Sequence, residues 1–142
     1  MISLETAQAL RAAGLLWEPA EFDMFAVPDR DLDDTPFVIN DLPAHVGLLQ
    51  GLPVMTFDGS AEWALDYIAA GEVVWLPTEE QLRLQLMARL AADPAYQLGL
   101  AATRAGCRLT ATAHGQTREY EAAEVIEAYA AALLTLLQAE QT

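Results

Sequence analysis

Residues 96–120, YQLGLAATRAGCRLTATAHGQTREY, decide the architecture. They break into three runs suited to strands, Tyr96 to Thr103, Cys107 to Ala113 and Thr117 to Tyr120. Ala105-Gly106 and His114-Gly115 stand between them as turn residues, so each run is expected to pair with its neighbour in an antiparallel meander. Upstream, Pro77-Thr78-Glu79-Glu80 opens a helix with Thr78 as N-cap and two glutamates at the positive end of the dipole. Leu82, Leu86 and Leu90 with Met87 form its apolar face, and Asp93-Pro94 ends it. Downstream, a helix is expected from about Ala122 to Gln138. Val125, Ile126, Tyr129, Leu133, Leu136 and Leu137 face inward there, and Glu121, Glu124, Glu127, Ala131, Thr135 and Gln138 line a narrow outer stripe. Such a wide apolar face predicts a helix lying across a sheet or at a subunit contact. Helix, meander, helix is also the order of double-stranded RNA-binding domains, but those need a basic surface that this segment lacks.

The N-terminal half reads less regularly. Ser3 caps a helix running through about Ala13, with Gly14 as its stop. Phe22 to Val27 and Phe37 to Ile39 read as strands. His45 to Leu49 and Leu52 to Phe57 suit a hairpin across Gln50-Gly51, with Pro53 making the second an edge strand or delaying its start. Asp58-Gly59-Ser60 leads into an expected helix, Ala61 to Ala70, and Glu72 to Leu76 reads as a short buried strand. No Gly- or Ser-rich linker separates the halves. The expectation is one α+β domain over residues 1–142, a mostly antiparallel sheet packed by about four helices.

Twenty-one acids face seven basic residues, all arginine, for a net charge of -14. Residues 1–57 carry -7, residues 58–94 carry -5 and residues 95–142 carry -2. A field of this sign repels phosphate backbones and anionic lipid, so no nucleic acid and no membrane is expected as partner. It keeps the chain soluble by self-repulsion, and a basic protein is the partner it would suit. The hydrophobic fraction of 54% supports a packed core, although much of it is alanine. Met-Ile-Ser-Leu-Glu lacks the basic and apolar regions of a signal peptide. The longest apolar run, Ala128 to Leu137, is too short to span a bilayer. A cytoplasmic protein is expected.

Chemistry-bearing clusters are scarce. His45 and His114 fall in separate expected hairpins, with no second ligand at metal spacing, so no metal and no cofactor is expected. Asp29-x-Asp31-x-Asp33 imitates the start of a calcium loop. Position six, where a turn glycine belongs, is Asp34, and position twelve, where a bidentate glutamate belongs, is Asn40. Cys107 lies in the apolar alternation Cys107, Leu109, Ala111 and reads as a buried strand residue. The chain has no Gly-x-Ser-x-Gly and no phosphate-binding loop. Trp17, Trp63 and Trp75 each stand beside an acid or a turn. Exposed, they anchor a partner; buried, they fill a core short of large aliphatics.

The stretches ETAQALRAAGLLWEP (5–19), FDGSAEWALDY (57–67) and VVWLPTEEQL (73–82) resemble a family of small bacterial proteins labelled as pilus assembly proteins of the CpaE-like type. The resemblance covers about the first 85 residues. It implies a bacterial domain and transfers no catalytic residues. The function expected is therefore a non-enzymatic binding or adaptor domain, dimeric through the wide face of its last helix. Its interaction surface would be Trp17, Asp29, Asp31, Asp33, Asp34 and Trp63. An acidic inhibitor, either an immunity protein or a nucleic-acid mimic, is the alternative. A hydrolase with a carboxylate pair or a weak metal site is the third.

Overall fold

The computed structural model describes residues 1–28, 36–39, 44–49, 52–57, 67–69 and 73–141, with backbone alone for 44–49, 52–57 and 67–69. The chain divides into two compact units, Met1–Leu15 with Pro77–Thr142, and Leu16–Leu76.

Local capping sets the helices of the first unit. In α1 (Leu4–Ala12) the Ser3 hydroxyl accepts the Thr6 N–H at 3.1 Å, and Gly14 follows the last turn with φ +104. In α2 (Glu79–Leu90) the caps are reciprocal: Thr78 accepts the Gln81 N–H and Gln81 accepts the Thr78 N–H. Helix α3 (Val125–Glu140) starts later than its apolar pattern suggests, because the preceding strand runs on to Ala122.

Between α2 and α3 lies the meander, with β7 (Gln97–Thr103), β8 (Gly106–Ala113) and β9 (Gln116–Ala122) in the order β7-β8-β9. Alternation along β8 buries Cys107 and Leu109 on one face and leaves Arg108 on the other. The buried face meets α3, which packs on β8 and β9 and also on α1 and α2. Its apolar width is thus used inside the unit: Ile126, Ala128, Tyr129, Ala130, Ala132, Leu133 and Leu137 are all buried. Val125, Leu134 and Leu136 of the same helix stay partly exposed. Glu127, expected on the outer stripe, turns to α1 instead, accepting from the Ser3 N–H at 3.1 Å and the Thr6 hydroxyl at 2.9 Å.

In the second unit, β1 (Met24–Ala26) lies between β2 (Phe37–Val38) and β6 (Val74–Leu76), antiparallel to both. Register places Phe25 beside Phe37 on one side and Trp75 on the other, so three aromatic rings form a row across the sheet. Phe25, Val27, Ile39 and Val73 form the core beneath, with Trp17 and Phe37 packed against it. A separate sheet pairs β3 (Ala44–Leu49), β4 (Leu52–Phe57) and β5 (Tyr67–Ala69).

The class is α+β, but two expectations about its make-up are corrected. Three helices, not about four, are present among the described residues, and the strands form three three-stranded antiparallel sheets. The helix expected over Ala61 to Ala70 fails at Tyr67–Ala69, which pair with Thr56–Val54; residues 61–66 and 70 lie outside the described residues. The pairing partner is remote in sequence, and an aromatic followed by a β-branched residue accepts the extended form when one is offered. Strand β4 also begins at Leu52 and occupies the middle of its sheet, despite Pro53. Among the described residues β5 pairs with Val54 to Thr56, so Pro53 has a described neighbour on one side alone, and its missing N–H breaks no second ladder there. Among the described residues no helix is long and apolar enough to cross a membrane.

Gly106 closes the first meander turn with φ +137, and a Cβ there would lie 2.5 Å from the Ala122 carbonyl oxygen. Gly106→Ala is expected to cost at least about 1–3 kcal/mol in urea unfolding. Gly99→Ala, with open space at its Cβ, is expected to stay within about 1 kcal/mol of wild type.

Candidate functional site

Along β8 the residues facing the helices shrink toward the second turn. Leu109 is fully buried, and beyond it come only Ala111 and Ala113. Across from them α3 also presents alanines, Ala132 and Ala139. Small side chains on both walls leave a gap that the larger neighbours cannot fill. The result is a cavity of about 340 Å³ in the first unit, walled by Leu86 and Leu90 of α2, Leu136 of α3 and Tyr120 of β9. That is near the lower end of the roughly 300–1,000 Å³ typical of ligand pockets.

The charged and polar residues of its lining are Arg89, His114, Gln116, Arg118 and Glu140. Arg89 spends Nη1 on Gln85 of its own helix, at 2.8 Å to the side-chain oxygen and 3.2 Å to the carbonyl. Its Nε is buried and lies 3.4 Å from Glu140 Oε1, yet the N–H is not aligned for a hydrogen bond and has no other partner. Arg118 shares the inward parity of Tyr120 on β9 and has no ion-pair or hydrogen-bond partner among the described residues. Two guanidinium groups with donors to spare, that of Arg89 with its buried Nε and that of the exposed Arg118, therefore line a mostly apolar cavity that holds one carboxylate.

His114 is placed by backbone chemistry. His114 and Gly115 both adopt positive φ, +53 and +75, the combination that matches a two-residue turn to strand twist. The His114 N–H donates to Asp93 Oδ2 at 2.7 Å while Ala95 N–H donates to Oδ1 at 2.9 Å. Asp93, just after α2, thus ties the end of that helix to the β8–β9 turn. The His114 N–H, followed by the Ala95 N–H, holds the Asp93 carboxyl below its ordinary range.

A second depression, beside Ala101 and Thr103 at the other end of the meander, is lined by charges already spent on each other. There Arg108 Nη2 donates to Glu121 Oε1 at 2.8 Å. Cys107 on its border is buried, its thiol 3.5 Å from the Ala122 carbonyl oxygen. Neither place sets a nucleophile beside a base. Among the described residues no group of three or more His, Cys, Asp or Glu stands ready to hold a metal ion.

Of the residues expected from sequence to form an interaction surface, Trp17 alone is among the described residues. Asp29, Asp31, Asp33, Asp34 and Trp63 lie outside the described residues, as does the acidic run that imitates a calcium loop. Trp17 is half-buried in the second unit, its ring stacked on Trp75 at 6.3 Å and tilted against Phe25 at 6.1 Å. Its indole N–H donates to Asp23 Oδ2 at 2.8 Å, and the same oxygen accepts the Ala20 N–H at 3.1 Å. Trp17 is thus committed to the core of that unit. Trp75 Nε1 is buried there without a hydrogen-bond partner.

The chain matches no protein-family model, no curated protein and no solved structure with which it was compared.

Asp23 is the buried carboxylate that fixes Trp17. Asp23→Ala leaves two N–H groups without their acceptor and is expected to cost about 1–3 kcal/mol in urea unfolding followed by tryptophan fluorescence. Asp23→Asn, which keeps an acceptor oxygen, is expected to lose clearly less. For Asp93 the lowered folded value means its stabilisation is present above the ordinary carboxylate range, near 3.8, and is lost as the pH falls through the lowered value. Thermal melts of wild type and Asp93→Ala are expected to differ at neutral pH and to converge on acidification.

Proposed function

We propose that this chain is a non-enzymatic binding domain whose first unit holds a small amphipathic anion, a carboxylate with an apolar body. The observation that carries this reading is the pair of underused guanidinium groups, Arg89 and Arg118, at a cavity lined mostly by alanine and leucine side chains. The buried Arg89 Nε donor has no acceptor, which is costly, while Arg118 is exposed; an incoming carboxylate supplies the acceptor that Nε lacks and gains a second cation in Arg118. Guanidinium groups suit it further because their fork of N–H donors matches two carboxylate oxygens. The apolar body of such a ligand would occupy the space that Ala111, Ala113 and Ala132 leave open. Nothing is asked of bond making, and the polar groups serve to orient and retain.

Octanoate is the probe, with octylamine and octanol as charge controls. Octanoate is expected to raise the melting temperature and to shift the Tyr120 and Leu136 resonances, while octylamine does neither and octanol binds more weakly. Arg118→Ala is expected to weaken octanoate about tenfold or more, the worth of a hydrogen bond to a charged group. Ala113→Leu fills the cavity and is expected to abolish binding while the protein stays folded. Equal binding of octylamine and octanoate, or full affinity in Ala113→Leu, overturns the reading.

A further inference from the structure

Among the described residues strand β7 pairs with β8 alone and is an open edge of the meander. It pairs with β8 in an unbroken register from Gln97↔Thr112 to Thr103↔Gly106, so no bulge twists it away. The two-residue turn makes Thr103 and its alternates Ala101, Gly99 and Gln97 the residues bonded to β8. The N–H and C=O groups of Leu98, Leu100 and Ala102 therefore point outward. Proteins commonly blunt such edges with charge, proline, bulges or shortness. β7 has none of these: it is seven residues long, uncharged and free of proline. The opposite edge, β9, carries Arg118, Glu119 and Glu121. Helix α3 covers β8 and β9, which leaves Leu100 44% exposed at the rim of the same apolar face.

Charge at the two ends of β7 selects the occupant. Asp93 stands before the strand and Arg104 after it, and Arg104 is exposed with no partner among the described residues. A strand negative at its start, neutral along its length and positive at its end is complementary to an antiparallel copy of itself. A parallel copy would set like charges together. Elsewhere the charge of -14 on each chain opposes close approach, and β7 is the edge of the meander without carboxylates.

We propose that β7 pairs antiparallel with β7 of a second copy about a two-fold axis at Leu100, joining two meanders into one six-stranded sheet. Leu98 then lies opposite Ala102 of the copy, Leu100 opposite its own counterpart, and every outward backbone group along Leu98 to Ala102 gains a partner. The two exposed leucines at the axis cover each other. This pairing is independent of the anion site, which lies toward the other edge of the sheet.

Sedimentation velocity of the full chain is expected to show a dimer that dissociates on dilution. Leu100→Pro removes one outward N–H and touches no bond to β8, so it is expected to be monomeric with an unchanged far-ultraviolet spectrum. Oxidised Leu100→Cys is expected to form a disulfide-linked dimer. Thr103→Cys is expected to form none, because its counterpart across the axis is about 20 Å away. A wild type that is monomeric at hundreds of micromolar overturns the proposal, as does a folded Leu100→Pro that stays dimeric. If Leu100→Pro fails to fold, the two cysteine variants decide: equal cross-linking of both overturns the pairing.

Discussion

Helix α3 carries more apolar surface than any single neighbour can hide, and the first unit is arranged around covering it. A helix apolar on most of its circumference must be enclosed by several elements. Here the sheet takes one side, through β8 and β9, and α1 and α2 take others. The α1 contact is fixed at both ends by polar chemistry. Glu127 receives both the N-cap N–H and the Thr6 hydroxyl of α1, and Gln141 reaches the Ala13 carbonyl at 2.6 Å where α1 ends. Burial provides the free energy, and these directed bonds fix which way the pieces face.

Enclosing α3 with a short sheet and two helices leaves one place where the walls are made of methyl groups. Leu109 fills the space beneath the helix in the middle of β8, while Ala111 and Ala113 do not fill it near the turn. Replacing two large side chains by alanine on facing surfaces forfeits dispersion contacts on both walls. The meander tolerates this because the turn beyond is pinned to Asp93 through the His114 N–H, and Asp93 is itself fixed by the Ala95 N–H, so the strands do not collapse into the gap. A cavity kept open by a hydrogen bond at its rim is already shaped before any ligand arrives.

The features legible in the sequence are those whose causes are local. The Ser3 and Thr78 caps, the His114-Gly115 turn and the alternation Cys107, Leu109, Ala111 each follow from a few adjacent residues, and each stands where it was expected. The misread elements depend on remote partners. Tyr67 to Ala69 fits a helix until β4 supplies a ladder, and the place of Pro53 in a central strand depends on where β5 stops. Trp17 is undecidable in isolation because its stacking partner, Trp75, is far away in the chain. For the cavity, half of the signal was readable: Arg118 has the parity of Tyr120, which puts a cation on the inward side of β9. That Ala113 would face Ala132 and Ala139 across a helix–sheet interface is written in the packing, not in any window of sequence.

The charge distribution follows the same division. Residues 16–76 hold twelve acids and one arginine, and the remaining residues hold nine acids and six arginines. Long-range repulsion of anions is therefore a property of the whole chain, whereas attraction is confined to about a Debye length, near 8 Å, from the Arg89 and Arg118 groups. Repulsion grows with each charge a ligand carries, while the local gain saturates once the spare guanidinium donors are occupied. A polyanion such as a nucleic acid or a polyphosphate pays the first cost many times over and collects the second gain once. A monoanion with an apolar tail pays least and also fills the alanine-lined space. The acidity of the chain and the cations at its cavity thus act together as a filter on ligand charge.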